Sequence, residues 1–291
     1  MPELPEVETV RQTLRKHILD KQIIDIDIRL PRLIRQPEDP EVFKHRLVGC
    51  RITEVDRRGK YLLIQVPPYT LVSHLRMEGK YSLHSRDDDI EKHTHLIFTF
   101  HDGTQLRYRD VRQFGTFDLV PFGEFQTIPG LYSLGPEPLD DQFTLERFET
   151  ICSSRTTRNI KAFLLDQAVI AGMGNIYVDE ALFFARIHPE RPPSSLKKRE
   201  IKLLYEGIRK VLHDGIKAGG ASVRTYRNSD GEMGYFQLQI QVYGRKGEPC
   251  NRCGTPIERI VVAGRGTHIC PNCQKSPSPS RKIRKEMEEG R

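Results

Sequence analysis

Residues 250–273 read CNRCGTPIERIVVAGRGTHICPNC, and this stretch decides the fold of the C-terminal part of the chain. Two Cys-x2-Cys pairs, Cys250 with Cys253 and Cys270 with Cys273, flank the sixteen residues 254–269. That spacing predicts a four-cysteine zinc ribbon, in which two short loops each present two thiolates and a hairpin joins them. The hairpin tip is expected near Val262–Gly266. Four sulfurs around one zinc leave no position open for water, so such a site holds shape and does no chemistry. A redox dithiol and an iron–sulfur cluster are the competing readings. The segment also carries Arg252, Arg259, Arg265 and His268, which suits a DNA groove as well as a solvated surface.

The rest of the composition fits that reading. The chain has 291 residues, enough for two domains, with lysine and arginine exceeding aspartate and glutamate by 46 − 39 = 7. A basic excess favours a polyanionic partner without proving one. No apolar run reaches the roughly 18–20 residues that cross a bilayer. MPELPEVETV, residues 1–10, is acidic and proline-bearing, unlike a signal or transit peptide. These features predict a soluble, cytoplasmic protein. Cys50 and Cys152 are isolated and read as core residues.

Val7, Val10, Leu14 and Ile18 recur at helical spacing near the start. Strand-like runs follow at Gln22–Leu30, Arg51–Val66, Leu71–Leu75, His95–His101, Gln105–Tyr108 and Thr116–Val120, punctuated by Gly and Pro. They predict a mainly antiparallel sandwich or barrel. After the stiff connector Gly135-Pro136-Glu137-Pro138, helices are expected at Leu145–Cys152, Asn159–Ile170, Ile176–Ile187 and Leu196–Lys217, the last preceded by capping candidates Ser194 and Ser195. The turn Ala171-Gly172-Met173-Gly174-Asn175 joins the second and third of these helices, a device used both for DNA binding and for plain packing. A strand is expected at Tyr235–Tyr243. The Ser/Pro-rich end, from about 275, reads as a disordered tail.

Pro2 follows the initiator methionine and normally permits its removal, which exposes a secondary amine. An α-amine titrates near 7.7–8.0, so much of it is unprotonated at neutral pH. Such an amine attacks C1′ of a deoxyribose to form an iminium, and Glu3 and Glu6 beside it are suited to proton transfer. An ordinary charged terminus is the plainer reading.

PELPEVETV (2–10), RRGKYLL (57–63), SHLRMEGK (73–80), DVRQFG (110–115), LGPEPL (134–139), GMGNIYVDEALF (172–183) and GRGTHICPNC (264–273) together closely resemble bacterial formamidopyrimidine-DNA glycosylases. The match runs in order from residue 2 to about 274. The resemblance implies a two-domain α+β fold. It divides into an N-terminal antiparallel β-sandwich with flanking helices (1–132), a helix-two-turn-helix region with a lesion-recognition loop (133–235), the zinc hairpin (236–274) and the tail (275–291). It also implies excision of 8-oxoguanine and formamidopyrimidines from damaged double-stranded DNA by a monomer, followed by β,δ-elimination. Pro2 is then the nucleophile, Glu3 the general acid/base, Glu6 its geometric support and Lys60 the β-elimination lysine. Arg265 grips phosphates and is assigned to δ-elimination.

An everted nucleotide leaves a hole in the duplex. Met77, Arg112 and Phe114 match the residues that fill it. The resemblance gives phosphate contacts to His74, His93, Asn175, Tyr243 and Arg265 and a DNA contact to Lys161. It gives lesion recognition to Ser222, Val223, Arg224, Thr225 and Tyr226, with Glu78 nearby. One departure stands out: a basic contact of some relatives is Thr157 here, flanked by Arg155 and Arg158. The rival readings are a pyrimidine-specific endonuclease of the same superfamily, whose members tend to begin Pro-Glu-Gly, and a silent DNA-binding adaptor, which needs none of Pro2, Glu3 and Lys60.

Overall fold

The computed structural model describes residues 1–153, 158–221 and 234–276. The chain divides into two compact units. Unit 1 gathers Met1–Asp140, Ile170–Met173 and Leu212–Gln239; unit 2 gathers Asp141–Val169, Gly174–Val211 and the chain from Ile240.

Unit 1 opens with α1 (Leu4–Ile18), whose Val7, Val10, Leu14 and Ile18 are buried as their spacing predicts. There follow β1 (Ile23–Ile28), β2 (Ile34–Gln36), α2 (Pro40–Leu47), β3 (Glu54–Arg58), β4 (Tyr61–Val66), β5 (Tyr69–His74), β6 (Lys80–Ser85), β7 (Thr94–Phe100), β8 (Thr104–Arg109), β9 (Thr116–Pro121) and α3 (Pro129–Tyr132). Among the described residues the strands form two sheets, ordered β1-β7-β8-β6 and β2-β9-β5-β4-β3. Residues from both sheets share one core. Ile26, Tyr81, Phe98 and Leu106 come from the first, Val55, Leu62, Ile64 and Phe117 from the second, and α1 adds its apolar stripe. The other face of the second sheet presents Tyr61, Leu63, Val72 and Val120 to Ile128 and Leu131 around α3. The period-two alternation of β4 therefore serves two cores. The expected antiparallel sandwich is present, with one parallel pair, β2 against β9.

Unit 2 holds α4 (Leu145–Cys152), α5 (Ile160–Leu165), α6 (Asn175–Ala185) and most of α7 (Lys198–Lys217), followed by β10 (Glu258–Val262) and β11 (Arg265–Ile269). Asn159 caps α5 by accepting the Ala162 N–H at 2.8 Å. The β10–β11 hairpin closes at Val262 opposite Arg265, leaving Ala263 and Gly264, both at positive φ, as a two-residue tip. None of the described helices is long and apolar enough to cross a membrane.

Several sequence expectations are corrected. Arg51–Val66 is two strands, broken by a tight turn at Gly59 (φ 57°) and Lys60. Asn159–Ile170 ends as a helix at Leu165, and Asp166 then turns the chain by accepting the Ala168 N–H. Ser194 and Ser195 lie in a 3-10 turn (Pro193–Ser195) ahead of α7. Tyr235–Tyr243 is no strand, although its apolar residues alternate. The N–H groups of Leu238 and Gln239 close a 3-10 turn, and those of Gln241, Val242 and Tyr243 all donate to the Glu180 carboxylate. With its amides taken, the segment has nothing to offer a ladder. β2, β6 and α2 were not anticipated. Arg155, Thr157, the segment Ser222–Tyr226 and the tail from 277 lie outside the described residues.

Candidate functional site

The first residues of unit 1 are held with unusual completeness. Met1 is 53% exposed, but Pro2 is buried and Glu3 and Glu6 are only 4% and 3% exposed. Glu3 is the N-cap of α1, and its N–H donates to Glu6 Oε2 at 2.8 Å. The other Glu6 oxygen accepts the Ala221 N–H at 2.7 Å. A buried carboxylate with both oxygens accepting backbone amides is a rigid staple. The Leu4 N–H donates to the Gly172 carbonyl at 3.0 Å, and Lys60 Nζ donates to the Met173 carbonyl at 2.7 Å. Leu4, next to Pro2 and Glu3, and Lys60 are thus fastened to one short loop. Lys60 is 6% exposed, because it occupies the β3–β4 turn and not an open strand.

That turn has its own support. Glu137 accepts from the Gly59 N–H, from Arg57 at 2.8 Å and from Arg58 at 3.0 Å. Burial alone raises its pKa, yet the Arg57 charge, the Gly59 amide and Arg58 together hold it below the usual carboxylate value. Next to it the Pro136 carbonyl accepts the Ala171 N–H at 3.0 Å. RRGK, LGPEP and GMGN therefore meet in one place.

Two loops of the same unit present large side chains to solvent. Met77, between β5 and β6, is 37% exposed; Phe114, between β8 and β9, is 52% exposed, and the Arg112 guanidinium lies 4.9 Å over its ring. Arg76, His93 and Gln113 in and beside these loops have positive φ, a conformation that costs a non-glycine residue about 1–3 kcal/mol. Glu78 is exposed on the first loop. The His93 carbonyl accepts the Asp110 N–H at 3.1 Å. His74 Nδ1 accepts the Arg76 N–H at 2.9 Å, so its proton sits on Nε2, and its ring meets Tyr61 edge-on at 4.4 Å. Burial, then the charges of Arg76, Lys60 and Arg35, depress its pKa to about 3. It is neutral at physiological pH.

In unit 2 the sulfurs of Cys250, Cys253, Cys270 and Cys273 all lie within 4.8 Å of one another, with two of the pairs at 3.4 and 3.6 Å. Zinc–sulfur bonds of about 2.3 Å in a tetrahedron put sulfurs about 3.8 Å apart, so the four residues fit a zinc ion. Amides of Arg252 and Cys273 point at Cys250 and Cys270 sulfurs at 3.4 Å, as expected where sulfur carries negative charge. Arg265 is exposed beside the hairpin tip. The neighbouring Gly266 carbonyl accepts Asn175 Nδ2 at 2.9 Å, and the Tyr243 ring lies 5.1 Å from that of His268. Lys161 and Asp179 form an ion pair at 2.6 Å with both side chains at 0% exposure, and the second Asp179 oxygen accepts the His268 N–H at 2.9 Å.

Three family models match this chain: the formamidopyrimidine-DNA glycosylase N-terminal domain at residues 1–117, its H2TH domain at 134–227, and the zinc finger found in FPG and IleRS at 247–275. The formamidopyrimidine-DNA glycosylase of Shouchella clausii is 52% identical over 277 residues, covering 95% of this chain and all of the relative. The chain belongs to the formamidopyrimidine-DNA glycosylase family. Among solved structures of the family, Lactococcus lactis Fpg complexed with DNA containing an abasic site superposes with TM-score 0.87 and 45% identity. MutM in complex with DNA containing carbocyclic 8-oxo-G superposes with TM-score 0.88 and 44% identity. Each alignment covers 94% of this chain and all of the other.

Within this family frame, one expected DNA contact is corrected. Lys161 is fully buried and paired with Asp179, so it braces the hairpin and has no surface with which to meet a phosphate. Asp179 and Glu180, absent from the expected site residues, are two acids inside a helix whose neighbours Ile176, Tyr177, Val178, Ala181, Leu182 and Phe183 are apolar. Carboxylates in that setting are buried and paired, which was the available signal. Glu137, Tyr108 and Asp110 gave no such signal, because nothing in their local pattern marks a buried partner.

Proposed function

We propose that this chain is a bifunctional DNA glycosylase and lyase that removes oxidised purines from duplex DNA through its N-terminal proline, after loss of Met1. The observation that carries the reading is the common anchoring of the Pro2–Leu4 segment and Lys60 on the Gly172–Met173 carbonyls, with Glu3 buried at the start of α1. The Pro2 nitrogen bonds to C1′ of the damaged nucleotide while the C1′–N9 bond breaks and the base departs with a proton. Glu3 supplies a proton to O4′ as the sugar opens, leaving an iminium. Loss of a C2′ proton, assisted by Lys60, expels the 3′ phosphate, and a second elimination expels the 5′ phosphate.

Met77, Arg112 and Phe114 fill the space left by the everted base; Met and Phe are apolar wedges, and Arg hydrogen-bonds the unpaired cytosine. His74, His93, Asn175, Tyr243 and Arg265 bind the backbone. Residues 222–226, with Glu78, read the lesion. The zinc ion, held by the four cysteines, supplies rigidity only. One chain carries every group the reaction needs, so the protein acts as a monomer, in the compartment that holds the bacterial chromosome.

The test is covalent trapping. Borohydride is expected to link the chain, with Pro2 as first residue by mass spectrometry, to duplex DNA bearing 8-oxoguanine opposite cytosine. Glu3→Gln is expected to abolish excision. A free Pro2 that forms no adduct, or a fully active Glu3→Gln variant, rejects the mechanism. Faster excision of an oxidised pyrimidine from the same duplex would reassign the substrate.

A further inference from the structure

Met77, Arg112 and Phe114 stand on separate loops, residues 75–80 and 110–115, yet both loops close on one buried point. Tyr108, on β8, is fully buried. Its hydroxyl lies where a side chain would otherwise begin on either loop. A Cβ added to Gly79 would meet it at 2.3 Å, and one added to Gly115 at 1.7 Å. Both positions are glycine because the phenol occupies the room. The Tyr108 ring is fixed edge-on against Phe117 at 4.8 Å and Tyr81 at 5.3 Å, so the hydroxyl cannot swing away.

Asp110, also at 0% exposure, completes the arrangement. Its Oδ1 accepts the Arg112 N–H at 3.0 Å, and its Oδ2 accepts the Phe114 and Gly115 N–H groups at 2.9 and 2.8 Å. The same Oδ2 accepts the Tyr108 hydroxyl at 3.4 Å. The Asp110 carbonyl in turn accepts the Gln113 N–H at 3.2 Å and pairs with His95 Nε2 at 2.9 Å. Main-chain amides of Arg112 and Phe114 therefore point inward at one carboxylate while their side chains face outward. Gln113 is at positive φ in the loop whose amides the Asp110 carboxylate holds, and Arg76 is at positive φ in the loop whose Gly79 packs against the Tyr108 hydroxyl.

We propose that the Asp110 carboxylate and the Tyr108 hydroxyl are positioning residues that hold Met77, Arg112 and Phe114 as one preformed wedge, and so set the rate of base eversion and the choice of opposite base. This rests on the function proposed above. Preorganisation matters here because a wedge that must first be ordered loses the advantage of entering the stack in one step.

Tyr108→Phe removes only the hydroxyl, and Asp110→Asn keeps shape while turning a competing donor toward at least one of the three inward amides. Both are compared with the wild-type chain in single-turnover excision of 8-oxoguanine opposite cytosine and opposite adenine. A 2-aminopurine beside the lesion, which brightens on unstacking, reads the wedge without any chemistry. Borohydride trapping on a single-stranded abasic oligonucleotide, where nothing need be everted, reads the Pro2 amine alone.

Tyr108→Phe is expected to slow duplex excision and the 2-aminopurine rise together by about two- to threefold, the scale of one long hydrogen bond to a carboxylate. It is also expected to relax the preference for cytosine, with single-stranded trapping and melting temperature unchanged. A Tyr108→Phe chain of unchanged melting temperature that everts and discriminates as wild type overturns the proposal, whether or not Asp110→Asn folds. Parallel loss of excision and single-stranded trapping also overturns it. If the wild-type chain itself fails to trap, the functional reading falls instead, and the 2-aminopurine signal still decides the role of the wedge.

Discussion

His74 illustrates how burial changes what a basic residue offers. In the folded chain its pKa is about 3, against about 6.5 for a free imidazole. Between those values the unfolded chain binds a proton that the folded chain refuses. Stability is therefore unaffected above about 6.5 and falls as pH drops toward 3, by up to about 1.4 kcal/mol per pH unit. His74→Asn, whose amide oxygen can replace Nδ1 as acceptor for Arg76, is expected to flatten that slope in urea unfolding between pH 6.5 and 4. An unchanged slope would mean the imidazole titrates freely. For the phosphate contact proposed for His74, the free chain offers a neutral Nε2–H donor and not a cation. His74→Asn is expected to weaken binding without changing its salt dependence, whereas Arg265→Ala should lower the slope of log K against log salt by roughly 0.9. Residue type alone names His74 as basic; its neutrality follows first from burial and then from the charges of Arg76, Lys60 and Arg35, and of these only Arg76 is near it in sequence.

At the level of elements, α6 and the zinc hairpin are joined by buried charge. Lys161 pairs with Asp179, which also accepts the His268 amide, while Glu180 accepts three amides from the segment entering the hairpin. Removing one member of a buried pair strands the other, a loss of about 3–5 kcal/mol. Lys161→Met is therefore expected to lower the melting temperature of the chain sharply. Lys161→Met with Asp179→Leu is expected to recover most of the loss, as calorimetry would show; equal damage from single and double variants would contradict the pairing. The helices themselves were readable from spacing and caps, and the hairpin from its cysteines. The strand expected at Tyr235–Tyr243 failed for the same reason that Lys161 was misplaced. Alternation and charge describe a residue's own preferences, while Glu180 and Asp179, some 60 residues before the one and 18 after the other, decide what is done with them.

For the whole molecule, zinc matters through shape. Substituting Cys270→Ser, or extracting the metal, is expected to weaken duplex binding at least tenfold while leaving the single-stranded abasic adduct in place; binding that survives metal loss would make the ribbon dispensable. The zinc site was legible by spacing, and the family by resemblance. The composition of unit 1 was less so. It assembles three separate stretches of chain, and the contacts that join them, Lys60 to Met173 and Glu6 to Ala221, span 113 and 215 residues and leave no periodic trace.

Those distant contacts set a clock. Translation at 5–20 residues per second delivers Gly172, and then Ala221, only tens of seconds after Pro2 leaves the ribosome. Until then, the Leu4 amide lacks the Gly172 carbonyl, and the Glu6 carboxylate has the Glu3 amide but not that of Ala221. That interval is when an aminopeptidase can take Met1 from a loose end. Once Ala221 arrives, the staple closes on Glu6, and a chain that reached that point unprocessed would present its methionine on a terminus already folded.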